Sequence, residues 1–273
     1  MPSRESFAYR RGAQLRALKA IEANESTASE TIYGKAANDF HTFCTLLDKP
    51  PAPHMLEWHE HLVTNQSNKY LLGIAGPNLD ILAPRGSAKS TVLNMFTAWC
   101  IGRHTAAKRP LQIIYVSYNI ATAIPKSRII RQIVDSSEFR KIFPTCRLKP
   151  GMQSDIGWSI DYDYANIPRL GDEEFTLRAA GLRGSITSKR AHLVLIDDPI
   201  KSSADIKNPT IRDEMNNNWS SVIAPVVFEG GRSICLGTRF HPLDIHKTMF
   251  VPEKGWKQVT QEALTYDDKG QPK

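Results

Sequence analysis

The chain of 273 residues is long enough for one large domain or two small ones, and a hydrophobic fraction of 41 % is enough to bury a sizeable core. No stretch approaches the roughly 18 consecutive apolar residues of a membrane span, and Met1-Pro2-Ser3-Arg4-Glu5 lacks the apolar core of a signal peptide, so no membrane association and a cytoplasmic setting are expected. The net charge of +7 is mild, and Cys44, Cys100, Cys146 and Cys235 are scattered without a CxxC pair, which argues against a zinc cluster and a disulfide framework.

Residues 1–50 are rich in Ala, Glu, Lys and Arg, and apolar residues at helical spacing (Leu15 and Leu18, then Phe40, Phe43, Leu46 and Leu47) predict two helices, the first frayed around Ala23 to Thr31. Lys49-Pro50-Pro51-Ala52-Pro53 breaks the helical pattern and marks the end of an N-terminal helical segment. A helical period resumes from His54 to Leu62. His59 and His61 stand two apart, so they do not share a helix face and do not form a metal pair.

Leu79-Asp80-Ile81-Leu82 enters a tight polar loop, and Val92-Leu93-Asn94-Met95-Phe96 follows it, which predicts strand, phosphate loop and helix. A triphosphate needs backbone amides from a small-residue turn, a lysine for its β and γ phosphates, and a hydroxyl for magnesium. The segment Pro84-Arg85-Gly86-Ser87-Ala88-Lys89-Ser90-Thr91 offers all three, with Lys89 on phosphate and Ser90 on the metal. The strict pattern has glycine at its first and sixth positions, where this chain has Ala83 and Ala88.

A helix to about Ile101 and a basic linker through Arg109 lead to Leu111–Ser117, a β-branched run of the buried parallel kind. The next helix carries Pro125 near its first turn and the pairs Ile129/Ile133 and Ile130/Val134, with Arg128, Arg131 and Asp135 on its other side. From Pro84 to Lys149 basic residues far outnumber the two acids, Asp135 and Glu138, which points to a polyanion, nucleotide or nucleic acid. Thr145 to Pro168 is irregular and polar and yields no assignment. Phe175–Gly181 reads as a strand leading into the turn Leu182-Arg183-Gly184-Ser185.

His192-Leu193-Val194-Leu195-Ile196-Asp197-Asp198-Pro199 is an apolar run ending in two carboxylates. Beside a phosphate loop, the first acid suits the magnesium shell and the second the attacking water. Asp205 to Val227 has helical spacing, and Arg232–His241 reads as another buried strand, placing Thr238 to sense the γ phosphate and Arg239 or His241 to relay its loss.

Together, Leu82–Thr91, Gly184-Ser185-Ile186-Thr187 leading to Leu195–Lys201, and Gly237-Thr238-Arg239-Phe240-His241 make the chain resemble the ATPase domain of the large terminase subunit of tailed bacteriophages, over roughly residues 50 to 260. The resemblance implies an α/β P-loop NTPase fold of the ASCE, RecA-like kind, with a mostly parallel central sheet flanked by helices. It also implies an extra catalytic-acid strand between the phosphate-loop strand and its neighbour. The ATPase domain is then expected over 51–265, with 266–273 starting a linker to an absent nuclease domain, so no nuclease activity is expected.

Carried over, Lys89 holds the β and γ phosphates, Ser90 the magnesium, Asp197 the metal's water shell and Asp198 the attacking water, while Thr238 belongs to a coupling motif. Asp198 stands where many members have glutamate. A basic residue donated by a neighbouring subunit would be Arg183, Lys189 or Arg190, and the segment from His54 to His59 would help seat adenine. The implied cofactors are ATP and Mg2+. The implied partners are double-stranded DNA, the portal protein of the procapsid, the small terminase subunit and further copies of the chain in a pentameric ring, in the host cytoplasm and transiently on the procapsid. A helicase-like ATPase and a nucleotide-binding scaffold are the alternatives.

Overall fold

A computed structural model describes residues 31–168, 175–184, 186 and 190–262. The helix expected around Leu15, the residue Lys189 and the linker expected at 266–273 lie outside these residues. In chain order the elements are α1 (31–38), α2 (Phe40–Leu46), α3 (Pro53–Leu62), β1 (Asn78–Leu82), α4 (Lys89–Ala106), β2 (Ile113–Ser117), α5 (Ile120–Asp135) and α6 (Ser137–Ile142). They continue as β3 (Leu148–Gln153), β4 (Gly157–Ile160), α7 (Tyr162–Ala165), β5 (Leu177–Gly181), β6 (Ala191–Asp197), α8 (Ser203–Lys207) and α9 (Pro209–Asn218). A π turn (Trp219–Ile223) and a 3-10 turn (Ala224–Val226) precede β7 (Val227–Gly237), α10 (Ile245–Thr248) and β8 (Trp256–Thr260).

The strands form one eight-stranded sheet in the order β3-β4-β5-β2-β6-β7-β1-β8. From β5 to β8 every pairing is parallel, whereas β3, β4 and β5 pair antiparallel. The parallel arrangement follows from the continuous apolar runs of β2 and β6, which are buried along their whole length and need cover on both faces. On one face α2, α3, α4, α5 and α6 supply Phe40, Phe43, Trp58, Phe96, Trp99, Ile130, Val134 and Phe139 to a single core. The helices ahead of Pro50 thus share that core with the sheet. On the other face Met215, Trp219, Ile223, Phe250 and Trp256 cover Ile114, Val116, Val194 and Ile196.

The extra strand beside the phosphate-loop strand is present, but it is not the acid strand. β1 pairs with β7, Leu82 opposite Gly237, and β6 lies one position further out, Asp197 opposite Leu236. The physical reason is in β7 itself, whose buried Ile234-Cys235-Leu236 run is apolar enough to sit between two parallel neighbours. This order puts the carboxyl ends of β1, β7 and β6 side by side on one sheet edge. β3, β4 and β8 were not legible in the sequence, and the helical stretch expected from Asp205 to Val227 is divided at Asn208-Pro209 into α8 and α9. Among the described residues no helix is long and apolar enough to cross a membrane.

Candidate active site

The site is built from four chain segments that leave the sheet at its carboxyl edge. After β1, the chain turns through Pro84–Ala88, with Gly86 at φ 80° and Ala88 at φ 58°, before α4 starts at Lys89. Ala88 is the N-cap of α4 and has no side chain to cap it, so the first-turn N–H groups remain open donors with the helix dipole behind them. That is the arrangement by which helix starts bind phosphate. Ser87 Oγ donates to Pro84 O at 2.7 Å, so Pro84 and Ser87 shape the loop from within.

The Lys89 ammonium is buried and donates to Pro84 O at 2.8 Å and Ala83 O at 3.3 Å, 3.9 Å from Asp198 Oδ1. Burial pulls its pKa below the ordinary lysine value, and the two carboxylates oppose that pull. Ser90 Oγ, one residue on, donates to Asp197 Oδ1 at 2.9 Å across 107 residues of chain. These two hard oxygen donors are the kind that hold magnesium, so the residues present fit the metal that the motif implies.

Asp197 ends β6 fully buried, and its surroundings fix it tightly. Its Oδ2 lies 3.1 Å from the Tyr115 hydroxyl and 3.5 Å from Lys126 Nζ, and Ser117 Oγ holds its carbonyl at 2.8 Å. Asp198 then takes φ 44°, a left-handed conformation that aspartate tolerates better than most residues, and its N–H donates to Leu236 O at 3.0 Å. The reversal swings the second carboxylate out of the sheet into the cleft. There its Oδ1 is buried without a hydrogen-bond partner among the described residues. Desolvation raises the Asp198 pKa above the ordinary carboxylate value, Asp197 adds to the rise and Lys89 opposes it. An acceptor of raised basicity and spare bonding capacity suits a general base.

These groups surround a cleft of about 480 Å³, lined by Arg85, Gly86, Ala88, Lys89, Ser90, Thr91, Ser117, Tyr118, Thr122, Lys126, Asp197, Asp198, Ile200, Lys201 and Phe240. Arg85 bridges three segments: its guanidinium donates to Lys201 O at 2.8 Å and lies 4.8 Å from the Phe240 ring centroid. Thr238 does not line the cleft; its Oγ1 donates to Ala83 O at 3.0 Å and so ties the end of β7 to the root of the phosphate loop. His54 Nε2 lies 3.3 Å from Ser87 O, which sets the start of α3 against the loop, while His59 is buried against Phe40.

The basic residues expected to act from a neighbouring subunit are placed differently from one another. Arg183 is engaged by Glu214 at 3.1 and 2.6 Å and lies 3.4 Å from the hydroxyl of Tyr118, a cleft residue. Arg190 precedes β6 at the opposite sheet edge and donates to Pro225 O at 2.9 Å. The residues that sequence reasoning missed are Tyr115, Ser117, Tyr118, Thr122, Lys126, Lys201 and Phe240. Lys201 and Phe240 lay inside the quoted motifs without a role, Ser117 and Tyr118 stand at the end of a buried strand, Thr122 and Lys126 stand one turn apart at the start of a helix, and Tyr115 lies inside an apolar strand.

No family model matches the sequence, and no curated protein matches it significantly. Among solved structures, the fold is similar to the HK97 bacteriophage large terminase, with a TM-score of 0.46 and 14% identity over 80% of this chain and 40% of that one. It is also similar to a structure of an S. cerevisiae Dbp5 variant bound to Nup159, Gle1, IP6 and ADP, with a TM-score of 0.45 and 8% identity over 83% of this chain and 52% of that one. The chain therefore spans about half or less of the length of either. Phosphate loop, strand order and a mostly parallel sheet make the fold a P-loop, RecA-like α/β fold.

Proposed function

We propose that this chain is the ATP-hydrolysing motor domain of a large terminase subunit of a tailed bacteriophage, which drives double-stranded DNA into a procapsid. The observation that carries the hydrolytic part is the convergence at one sheet edge of Ser90 and Asp197, 2.9 Å apart, with Lys89 and Asp198 beside them, the Asp198 Oδ1 having no hydrogen-bond partner among the described residues. The terminase part is supported by the three motifs in their order along the sequence.

In this reading the open amides of α4 and the Lys89 ammonium bind the β and γ phosphates, for which Lys89 leaves the carbonyls of Ala83 and Pro84. Ser90 and Asp197 would hold magnesium, which would supply charge neutralisation at the transferring phosphoryl group. Asp198 orients the attacking water and takes its proton as the water oxygen bonds to the γ phosphorus and the bond to the β–γ bridging oxygen breaks. Arg85 and Thr238 then report loss of the γ phosphate, because both join the phosphate loop to the segments that follow β6 and β7. In a ring of such subunits, with the portal protein and small terminase subunit as partners, Arg183 is the better placed of the two described trans candidates, once it is released from Glu214.

The test is phosphate release from magnesium ATP with and without nucleic acid. The proposal expects stimulation by linear double-stranded DNA. Stimulation by single-stranded RNA alone would favour a helicase-like role, and binding without turnover under any of these conditions would favour a scaffold.

A further inference from the structure

The nucleotide reading assigns Lys89 to the phosphates, and leaves Lys126 and Lys201 in the same cleft without a task; of these, Lys126 lies beside the Asp197 carboxylate. Lys126 lies on α5, whose N-terminus is capped by Asn119 and Thr122 in a reciprocal box. Three features fix the direction of its side chain. Ala123, Ser127, Ile130 and Val134 are buried, and Trp158 Nε1 donates to Ser127 Oγ at 3.1 Å, which locks the rotation of the helix. Gly181 at the end of β5 admits the start of α5 so closely that a Cβ there would lie 2.8 Å from Ile120 N. Thr122 and Lys126, one turn apart, therefore face the cleft together.

The Lys126 ammonium lies 3.5 Å from Asp197 Oδ2. That is longer than a charge-assisted hydrogen bond of about 2.7–2.9 Å, so the lysine is attracted to the acid without being committed to it. Asp197 has other support, from Ser90 and Tyr115. Lys126 makes no hydrogen bond among the described residues, and its side chain is 29% exposed on the cleft side. An ammonium on a flexible stem, beside the carboxylate that would hold magnesium and on the wall of the cleft, is placed to reach the phosphate of a bound nucleotide.

We propose that Lys126 contacts the terminal phosphate of the bound nucleotide from the α5 wall of the cleft, and stabilises the charge that its equatorial oxygens carry as the phosphoryl group transfers. This rests on the nucleotide reading above. It assigns to the chain itself a cation of the kind otherwise expected only from a neighbouring copy, and it differs from mere neutralisation of Asp197 in what it predicts for different ligands.

The test is calorimetric titration of the full chain, wild type and variants, with magnesium ADP alone and with magnesium ADP plus aluminium fluoride, which mimics the transferring phosphoryl group. The proposal expects Lys126→Ala to weaken the fluoride complex by about tenfold or more while ADP affinity changes by about twofold or less, and Lys126→Arg to restore most of the difference. Equal weakening of both ligands, or of neither, would overturn it. Lys126→Met keeps the apolar stem and takes the same measurement should the alanine variant fold poorly. If the wild-type chain binds neither ligand, the nucleotide reading has failed with it, and the pattern is distinct from a selective null at Lys126.

Discussion

Ala88 is the residue at which this phosphate loop departs most tellingly from the strict pattern. It occupies the sixth position at φ 58°, a conformation that costs a residue with a Cβ about 1–2 kcal/mol and glycine nothing. Ala88→Gly should therefore raise stability by about 0.5–1 kcal/mol in urea unfolding, after the extra entropy of an unfolded glycine is deducted; a loss would show that the Ala88 methyl group packs usefully. The principal site residues were legible in the sequence because their order is: Lys89 and Ser90 after an apolar strand, then Asp197 and Asp198 ending another. Tyr115 was not, because a tyrosine inside a β-branched run reads as core. Its role comes from the register that sets Tyr115 opposite Leu195, with its hydroxyl 3.1 Å from Asp197 Oδ2.

At the scale of elements, the way β7 is joined to α3 depends on one buried arginine. Arg232 is 2 % exposed and donates to Pro77 O, Leu62 O, Ile74 O and His61 O at 2.8, 3.1, 3.0 and 3.0 Å, with no carboxylate among these partners. It satisfies the carbonyls at the end of α3 and binds them to β7, the strand that leads into Thr238. Arg232→Ala should cost about 3 kcal/mol or more in denaturant unfolding, and Arg232→Lys should recover less than half, because an ammonium lacks the planar fork; a cost under about 1 kcal/mol would contradict this. β1, β2, β6 and β7 were readable as apolar runs. β3 was hidden because Lys149-Pro150-Gly151 lies within it, which only an edge strand tolerates. β8 was hidden because only Trp256 and Val259 of its residues are buried.

Across the whole molecule, the basic excess between Pro84 and Lys149 does not form one face. Arg128 and Arg131 pair with Asp155, Arg140 with Asp135 and Lys141 with Glu138, while Arg103 lies over Trp99 and Arg85, Lys89 and Lys126 enter the cleft. Local charge was legible, but its division among partners depended on the fold. Buried histidines give the molecule a second collective property. Desolvation lowers His59, His104 and His192 to about 4 from an ordinary value of 6.5. A depressed histidine leaves stability intact above pH 6.5 and removes it as pH falls toward 4, by at most about 1.4 kcal/mol per pH unit for each. His246, raised by Asp80 against its own desolvation, acts in the opposite sense: its contribution is present below 6.5 and is lost as pH rises through its raised value. Below pH 6.5 the His246 contribution is constant, so the depressed histidines, His61 among them, set the slope there: the melting temperature should fall steadily from pH 6.5 to 4.5, and a flat profile would contradict the burial of these rings. The most direct test of the central claim is steady-state phosphate release from saturating magnesium ATP by the wild-type chain, Lys89→Ala and Asp198→Asn. The geometry predicts a wild-type rate about a hundredfold or more above both variants, with Asp198→Asn still binding nucleotide; the same background rate in all three would contradict it.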